Sequence, residues 1–200
     1  MRVIAGKCRS LPLKTLEGLE TRPTTDRTKE TLFNVLQPWI PGCRFLDLFS
    51  GSGGIGIEAL SRGAVKAVFV EQSRKAVTVI RENLQFTKLL PEAVIMQDSV
   101  MHALSILSGK GEVFDCIFMD PPYDHELEKE ALIYISEHGL LREGGIVVVE
   151  ASRSTDLSYA AELGFTVVRE KVYKTNKHVF FQTEERALSC VNIVFFVKIP

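Results

Sequence analysis

The sequence predicts an α/β fold, with a doubly wound and mostly parallel sheet of seven strands and helices on both faces. Five short β-rich runs follow residue 44 and alternate with helical patterns: FLDLF, AVFVE, AVIMQ, FDCIFMD and GIVVVEA. Each run is continuously apolar, which is typical of strands covered on both faces. Two later runs, TVVREKVY and HVFFQT, flank the turn-forming KTNK and predict an antiparallel hairpin that closes the sheet.

The first 40 residues are predicted to extend the main domain. The opening MRVIAGKCRSLPLKT has two short apolar stretches around a glycine-containing turn, which indicates a small β-hairpin. In the following RPTTDRTKETLFNVLQ, Thr24, Thr25 and Asp26 are candidate N-caps of a helix that ends before Pro38.

The main domain is assigned to residues 41–184, and an apolar tail to residues 185–200. A further helix is predicted near Ser154 to Leu163, before the hairpin. The tail sequence ALSCVNIVFFVKIP is rich in β-formers, and an extra edge strand, a dimer contact and an altered reading frame all stay open for it.

Composition excludes several classes of protein. The chain has 200 residues, 46% of them hydrophobic and 24% charged, which suits one ordinary globular core. Its longest apolar runs fall far short of the roughly 20 residues that cross a bilayer, and the N-terminus lacks a signal-peptide pattern. The four cysteines are scattered without a Cys-x-x-Cys pair. We therefore expect a cytoplasmic protein with no membrane partner, no metal and no disulfide framework.

Charge is unevenly distributed along the chain. Residues 1–45 carry eight Lys and Arg against four Asp and Glu, whereas residues 46–168 carry ten against eighteen. A basic N-terminal segment is able to contact phosphate groups, so it is a candidate nucleic-acid surface.

A glycine-rich loop follows the first strand of the predicted sheet. FLDLFSGSGGIGIEAL places Gly51, Gly53 and Gly56 in G-x-G-x-x-G spacing, and Glu71 lies 20 residues after Gly51. Glycines let the backbone approach a ligand, and the acid is placed to accept hydrogen bonds from ribose hydroxyls. Dinucleotide-binding and S-adenosylmethionine-binding folds both use this pattern, so it does not separate them.

Asp47 favours the second of these two ligands. It lies at the carboxyl end of the first strand, where an acid repels a pyrophosphate and attracts the ammonium and sulfonium groups of S-adenosylmethionine. Asp98, after the third strand, is placed to accept a hydrogen bond from an adenine amine. The sequence thus predicts a Rossmann-like fold of the class I methyltransferase type, with S-adenosylmethionine as its cofactor.

The fourth strand ends in DPPY, residues 120–123. Pro121 and Pro122 fix the backbone and remove two donors, and Asp120 adds a carboxylate, so the turn is rigid and rich in acceptors. Acceptors on both N–H bonds of an amine conjugated to a heteroaromatic base stabilise the positive charge that develops during methyl transfer. Tyr123 is placed to stack on the extruded base.

Together, LDLFSGSGGIGIEALSRGA, FMDPPY and RPTTDRTKETLFNVL resemble the bacterial ribosomal RNA small-subunit methyltransferase D family, over about Met1 to Glu184. The resemblance implies methylation of the exocyclic N2 of a guanine in 16S rRNA. The expected substrate is this RNA within a partly or fully assembled small subunit. It implies an amine site formed by residues 120–123. It also implies a cofactor pocket lined by Asp47, Gly51, Gly53, Glu71 and Asp98.

The resemblance also makes the RPTTDR segment a candidate for ordering RNA or cofactor, through Arg22, Thr25, Asp26 and Arg27. Basic residues of the hairpin, such as Arg9 and Lys14, are candidates for contacts with RNA phosphates. Two alternatives stay open: a DNA adenine-N6 or cytosine-N4 methyltransferase, because such enzymes also carry DPPY, and a noncatalytic nucleotide- or RNA-binding module.

Overall fold

The computed structural model describes residues 1–16, 26–122 and 126–183. Strands and helices alternate along most of this chain. The helices are α1 (Asp26–Leu36), α2 (Gly54–Ser61), α3 (Arg74–Phe86), α4 (Val100–Gly109) and α5 (Leu127–Glu137). The strands are β1 (Arg44–Leu48), β2 (Lys66–Val70), β3 (Ala93–Met96), β4 (Phe114–Met119), β5 (Leu141–Ser152), β6 (Phe165–Val172) and β7 (Asn176–Thr183).

The strands form one seven-stranded sheet in the order β3-β2-β1-β4-β5-β7-β6. Strands β1 to β5 pair in parallel, whereas β7 runs antiparallel to both β5 and β6. The structure therefore confirms the predicted parallel sheet and the hairpin that closes it. The chain moves outward from β1 to β3 and then returns to β4 beside β1, so β1 and β4 border the switch point of the sheet.

Helices cover both faces of the sheet, which explains the continuously apolar strands. Phe45 of β1 packs into a core with side chains of α1, α2 and α3, whereas its neighbour Leu46 packs into a second core with side chains of α4 and α5. Because successive strand residues point to opposite faces, both faces need apolar side chains here.

The predicted helix near Ser154 to Leu163 is wrong in extent. The structure has only a 3₁₀ turn, Ser158–Ala161, in this region. The carboxylate of Asp156 accepts hydrogen bonds from the backbone N–H and the hydroxyl of Ser158, at 2.9 and 3.0 Å. Such local side-chain bonds compete with helical ones, so a short turn forms instead.

The predicted N-terminal hairpin is present only in reduced form. Residues 1–16, called the N-terminal arm from here on, fold back on themselves through a single bridge between Arg2 and Pro12. The N–H groups of Val3 and Leu13 donate to the carbonyls of Leu11 and Met1, both at 2.9 Å, but Ser10 beside this pair has a φ of 69°, which lies outside the extended range of a strand. The arm is therefore a paired loop without regular strands.

Some sequence predictions lie outside the described residues: the helix caps Thr24 and Thr25, and the tail of residues 185–200. Within the described part of the chain, no helix is long and apolar enough to cross a membrane. In the same part, no group of three or more His, Cys, Asp or Glu side chains could hold a metal ion. The cysteines found there, Cys8, Cys43 and Cys116, are buried and free.

A buried ion pair joins α1 to α2. The ammonium of Lys29 lies 3.1 Å from a carboxylate oxygen of Glu58, and neither side chain is exposed to solvent. Burial lowers the pKa of Lys29, and the Glu58 carboxylate opposes that shift. Glu58 also contacts the guanidinium of Arg62 at 2.7 Å and accepts backbone N–H groups of Ile4 and Ala5. The buried carboxylate is thus the centre of a largely buried polar cluster.

We predict that Glu58→Gln destabilises the protein more than Lys29→Met does. The first change leaves a buried ammonium without its carboxylate, which costs about 3–5 kcal/mol. The second leaves Glu58 with Arg62 and two backbone donors. Urea unfolding of both variants at pH 7 measures the two losses. Equal losses, or a larger loss for Lys29→Met, would contradict this account.

Candidate active site at the carboxyl edge of the sheet

The candidate site lies where β1 and β4 end side by side. Leu48 of β1 is paired with Met119 of β4, so the segments that follow these residues leave the sheet at the same edge. One segment is the glycine loop, residues 49–53, and the other begins with Asp120. Ligands of open α/β sheets bind at this kind of switch point.

The glycine loop turns sharply as it leaves β1. Phe49 has a φ of 61° and Gly53 has a φ of 79°, both in the left-handed region. That region is ordinary for glycine but strained for phenylalanine. Gly53 then forms the N-cap of α2, so the amino end of that helix directly follows the glycine loop.

Asp47 lies beneath this loop. Its side chain is buried, and its carboxylate accepts a hydrogen bond from the N–H of Gly56 at 2.9 Å. Burial raises the pKa of Asp47 to about 7, against the lowering effect of the Gly56 hydrogen bond. A Cβ at Gly56 would lie 2.4 Å from the ring of Phe69, so only glycine fits between α2 and β2. Asp47 thus anchors the loop as well as charging the site.

Glu71 and Asp98 lie at the ends of β2 and β3. The two carboxylate oxygens of Glu71 accept the N–H groups of Gly51 and Ser73, at 2.9 and 2.8 Å. Asp98 pairs with His102 of α4, with 2.6 Å between a carboxylate oxygen and the ring Nδ1. Each carboxylate has lone pairs left for further donors. The structure brings both acids to the predicted edge and shows protein partners that the sequence did not.

Asp120 directly follows β4, at the start of the second segment. Asp120 is partly buried, and among the described residues no donor forms a hydrogen bond with its carboxylate. Burial, together with the neighbouring carboxylates of Glu150 and Asp47, raises the pKa of Asp120 well above its ordinary value. Tyr123 lies outside the described residues. The described part of the DPPY motif is therefore an acceptor-rich turn beside the glycine loop.

Glu150 and His178 border this turn and were missed by sequence reasoning. Val149 of β5 pairs with Met119, which places the following residues, Glu150 and Asp120, on adjacent strands. A carboxylate oxygen of Glu150 lies 2.8 Å from Nε2 of the buried His178, its partner on β7. Glu150 could have been recognised as a site residue from the sequence IVVVEA, because it also follows a buried apolar run. His178 had no signal, since its partner depends on strand register.

The structure places the described nucleic-acid candidates on the N-terminal arm and at the start of α1. Arg9 and Lys14 lie on the exposed surface of the N-terminal arm, and Lys14 pairs with Glu82 at 2.9 Å. Asp26 pairs with Arg2 at 2.9 Å, and Arg27 is exposed at the start of α1. The remaining two candidates, Arg22 and Thr25, lie outside the described residues.

The charge of the site selects among ligands. The carboxylates of Asp47, Asp120 and Glu150 lie at the ends of neighbouring strands, and burial raises the pKa of the first two. A positively charged ligand relieves the repulsion between these groups, whereas a pyrophosphate increases it. The residues present therefore fit a cationic nucleoside cofactor better than a dinucleotide.

Strand order, glycine loop and acidic edge define a class I S-adenosylmethionine-dependent methyltransferase fold. The family model described as conserved hypothetical protein 95 matches residues 1–182. Ribosomal RNA small subunit methyltransferase D of Haemophilus influenzae is 37% identical over 86% of this chain and 88% of its own. The Escherichia coli K12 protein of the same name is 33% identical over 94% of this chain and 93% of its own.

Structural comparison agrees with these matches. The solved structure of yhhF from Escherichia coli has a TM-score of 0.77 and 33% identity, and the match covers 92% of this chain and 98% of that one. The chain belongs to the ribosomal RNA small subunit methyltransferase D family.

We predict that the stability of the Asp47→Asn variant, compared with wild type at the same pH, increases as pH rises. A carboxyl with a folded pKa of about 7 and an ordinary value of 3.8 binds its proton more tightly in the folded state. Stability from Asp47 is therefore present at low pH and is lost as pH rises from about 4 through 7. The Asn oxygen still accepts from Gly56 and does not titrate.

Thermal unfolding of wild type and Asp47→Asn at pH 5 and pH 8 tests this expectation. The difference in melting temperature should move in favour of the variant between the two values. A difference that is independent of pH would show that Asp47 titrates normally in the folded protein.

Proposed function

We propose that this protein transfers a methyl group from S-adenosylmethionine to the exocyclic N2 of a guanine in 16S rRNA. The observation that carries the proposal is the unused acceptor set at Asp120, which lies across the switch point from the glycine loop. The names of the relatives support ribosomal RNA of the small subunit as the substrate. The family resemblance supports guanine N2 as the methylated atom.

The cofactor is assigned to the loop between β1 and α2. Gly51 and Gly53 allow close approach of the backbone, and a Cβ at Gly51 would meet no atom within 4 Å, so this side of the loop is open. In this arrangement Glu71 faces the ribose and Asp98 faces the adenine. Asp47 supplies negative charge from beneath the glycine loop. When bound, S-adenosylmethionine provides a methyl group on a positively charged sulfur.

The target amine is assigned to the turn after β4. Asp120 and the carbonyls of Pro121 and Pro122 accept its N–H bonds, which lets its lone pair leave conjugation with the ring. When bound, the cofactor would supply the methyl group, and Asp120 with the two proline carbonyls would stabilise the positive charge that the amine gains as it takes up that group. Tyr123 is assigned the stacking contact that holds the base in line.

Glu150 influences the proton that the methylated amine must lose. Its negative charge helps to raise the pKa of Asp120, and His178 fixes its position from β7. A carboxylate of raised pKa is a stronger base, and general bases work best when their pKa lies near the working pH. Asp120 is therefore the proposed proton acceptor.

RNA contacts are assigned to the exposed face of the N-terminal arm and to α1. Arg9 and Arg27 are exposed, whereas Lys14 already pairs with Glu82. Residues Arg22, Thr25 and Asp26 are assigned to ordering the RNA or the cofactor near the site. This basic surface is small, which favours a partly or fully assembled subunit as the substrate, because a particle presents its RNA in a fixed shape.

We predict that the purified protein methylates small ribosomal subunits from a strain that lacks it, and leaves duplex DNA unlabelled. Labelled S-adenosylmethionine, nuclease digestion and mass spectrometry identify the product as N2-methylguanosine. Asp120→Ala should lower the rate by about 100-fold or more, because it removes an interaction that strengthens in the transition state. Its affinity for the cofactor should stay within about tenfold of wild type.

Asp156→Ala is the matched control, since Asp156 is exposed and its carboxylate bonds only within its own turn. The control should retain full activity. Label in adenine or cytosine of DNA would instead support an amino-methyltransferase of DNA. Full activity of Asp120→Ala would exclude the proposed amine site.

We predict that Arg9→Ala weakens RNA binding more than Lys14→Ala does. The charge of Lys14 is partly compensated by Glu82, whereas Arg9 forms no ion pair with a described residue. Each lost phosphate contact should reduce the slope of log affinity against log salt by about one unit. Filter binding between low and moderate salt measures the slope.

The control for this comparison is Lys110→Ala, which removes one exposed positive charge from the end of α4. It should leave the slope unchanged. If Arg9→Ala behaves like Lys110→Ala, the arm does not contact RNA phosphates.

A further inference from the structure

The N-terminal arm is attached to α2 by buried polar contacts. The Glu58 carboxylate accepts the N–H groups of Ile4 and Ala5 at 2.8 and 3.0 Å. The hydroxyl of Ser61 accepts the N–H of Cys8 at 3.0 Å and donates to the Ala5 carbonyl at 2.6 Å. Buried hydrogen bonds of this kind are costly to break without replacement. The position of the arm is therefore tied to the helix that the glycine loop begins.

Gly6 brings the arm into direct backbone contact with α2. A Cβ at Gly6 would lie 1.9 Å from the Ser61 carbonyl oxygen, and its φ is +82°. Any side chain at this position must push the arm away from α2. A substitution here therefore displaces the arm without changing a residue of the glycine loop.

Asn83 of α3 joins the arm to the glycine loop itself. Its side chain is 1% exposed. Its Oδ1 accepts the N–H of Lys14 at 2.8 Å, and its Nδ2 donates to the carbonyls of Lys14 and Ser52, both at 3.0 Å. One amide thus holds the arm and the loop at the same time. A second contact supports the junction, because a Cβ at Gly54 would lie 2.6 Å from the methyl carbon of Met1.

We propose that Asn83 is a positioning residue through which the docked N-terminal arm sets the geometry of the glycine loop and so the affinity for the cofactor. The inference rests on the proposed function, because it places the cofactor at this loop. Asn83 acts through Ser52 and does not touch the cofactor. Displacement of the arm should weaken cofactor binding even though the arm residues lie outside the pocket.

A double-mutant cycle with Gly6→Ala and Asn83→Ala tests the proposal. Isothermal calorimetry gives the dissociation constant of S-adenosylmethionine for wild type, both single variants and the double variant. We expect each single variant to bind about tenfold more weakly, within the range of ordinary coupling between sites. The double variant should bind about as weakly as Asn83→Ala alone, because the link is already broken.

Gly42→Ala is the matched control for backbone strain. Gly42 also has a positive φ, +76°, but a Cβ there would meet no atom within 4 Å. It should lower the melting temperature without changing cofactor affinity. A purely structural role of the arm would make Gly6→Ala behave in the same way, which would overturn the proposal.

Affinity losses that multiply in the double variant would also overturn it, since the arm would then act independently of Asn83. If Gly6→Ala does not fold, Ser61→Ala takes its place in the cycle, because it removes the bonds to Cys8 and Ala5 without introducing a clash. Failure of the wild-type protein to bind S-adenosylmethionine would instead contradict the proposed function. The two failures are thus distinguishable.

Discussion

Parallel strands deliver the residues that follow them to one edge of a sheet, and the candidate active site of this protein depends on that constraint. Asp47, Asp120 and Glu150 come from the ends of three neighbouring strands. Burial, followed by the closeness of the other two carboxylates, raises the pKa of Asp120, and burial raises that of Asp47 to about 7. The packed sheet holds these carboxylates together against their mutual repulsion. Affinity for a positively charged ligand is therefore a consequence of strand order.

The same acids also shape the loop that the ligand approaches. Asp47 holds the N–H of Gly56, and Glu71 holds the N–H of Gly51. The side chain of Asp47 lies under the loop. Its carboxylate therefore acts on a bound cation through its electric field rather than through direct contact. Fields of this kind are strong where water is excluded. Loop geometry and site charge thus have a common origin.

Features with local signals could be predicted from the sequence. The continuous apolar runs indicated the parallel strands, and spacing indicated the glycine loop and the turn at Asp120. Local reasoning was wrong where two local interactions compete. Asp156 accepts two hydrogen bonds from Ser158 and holds a short turn, although the surrounding residues have helical spacing. The positive φ of Ser10 likewise limits the N-terminal hairpin to a single bridge, which the apolar pattern alone did not show.

Contacts that depend on docking could not be predicted. Glu150 and His178 are 28 residues apart, and Asn83 and Lys14 are 69 apart, so only strand register and helix packing bring them together. These contacts carry no chemistry of their own, yet they fix the groups that do. Helices α2 and α3 both begin at the carboxyl edge, and the arm binds both. A segment that resembles an appendage in the sequence therefore belongs physically to the main domain, because its buried partners are the helices that begin at the candidate site.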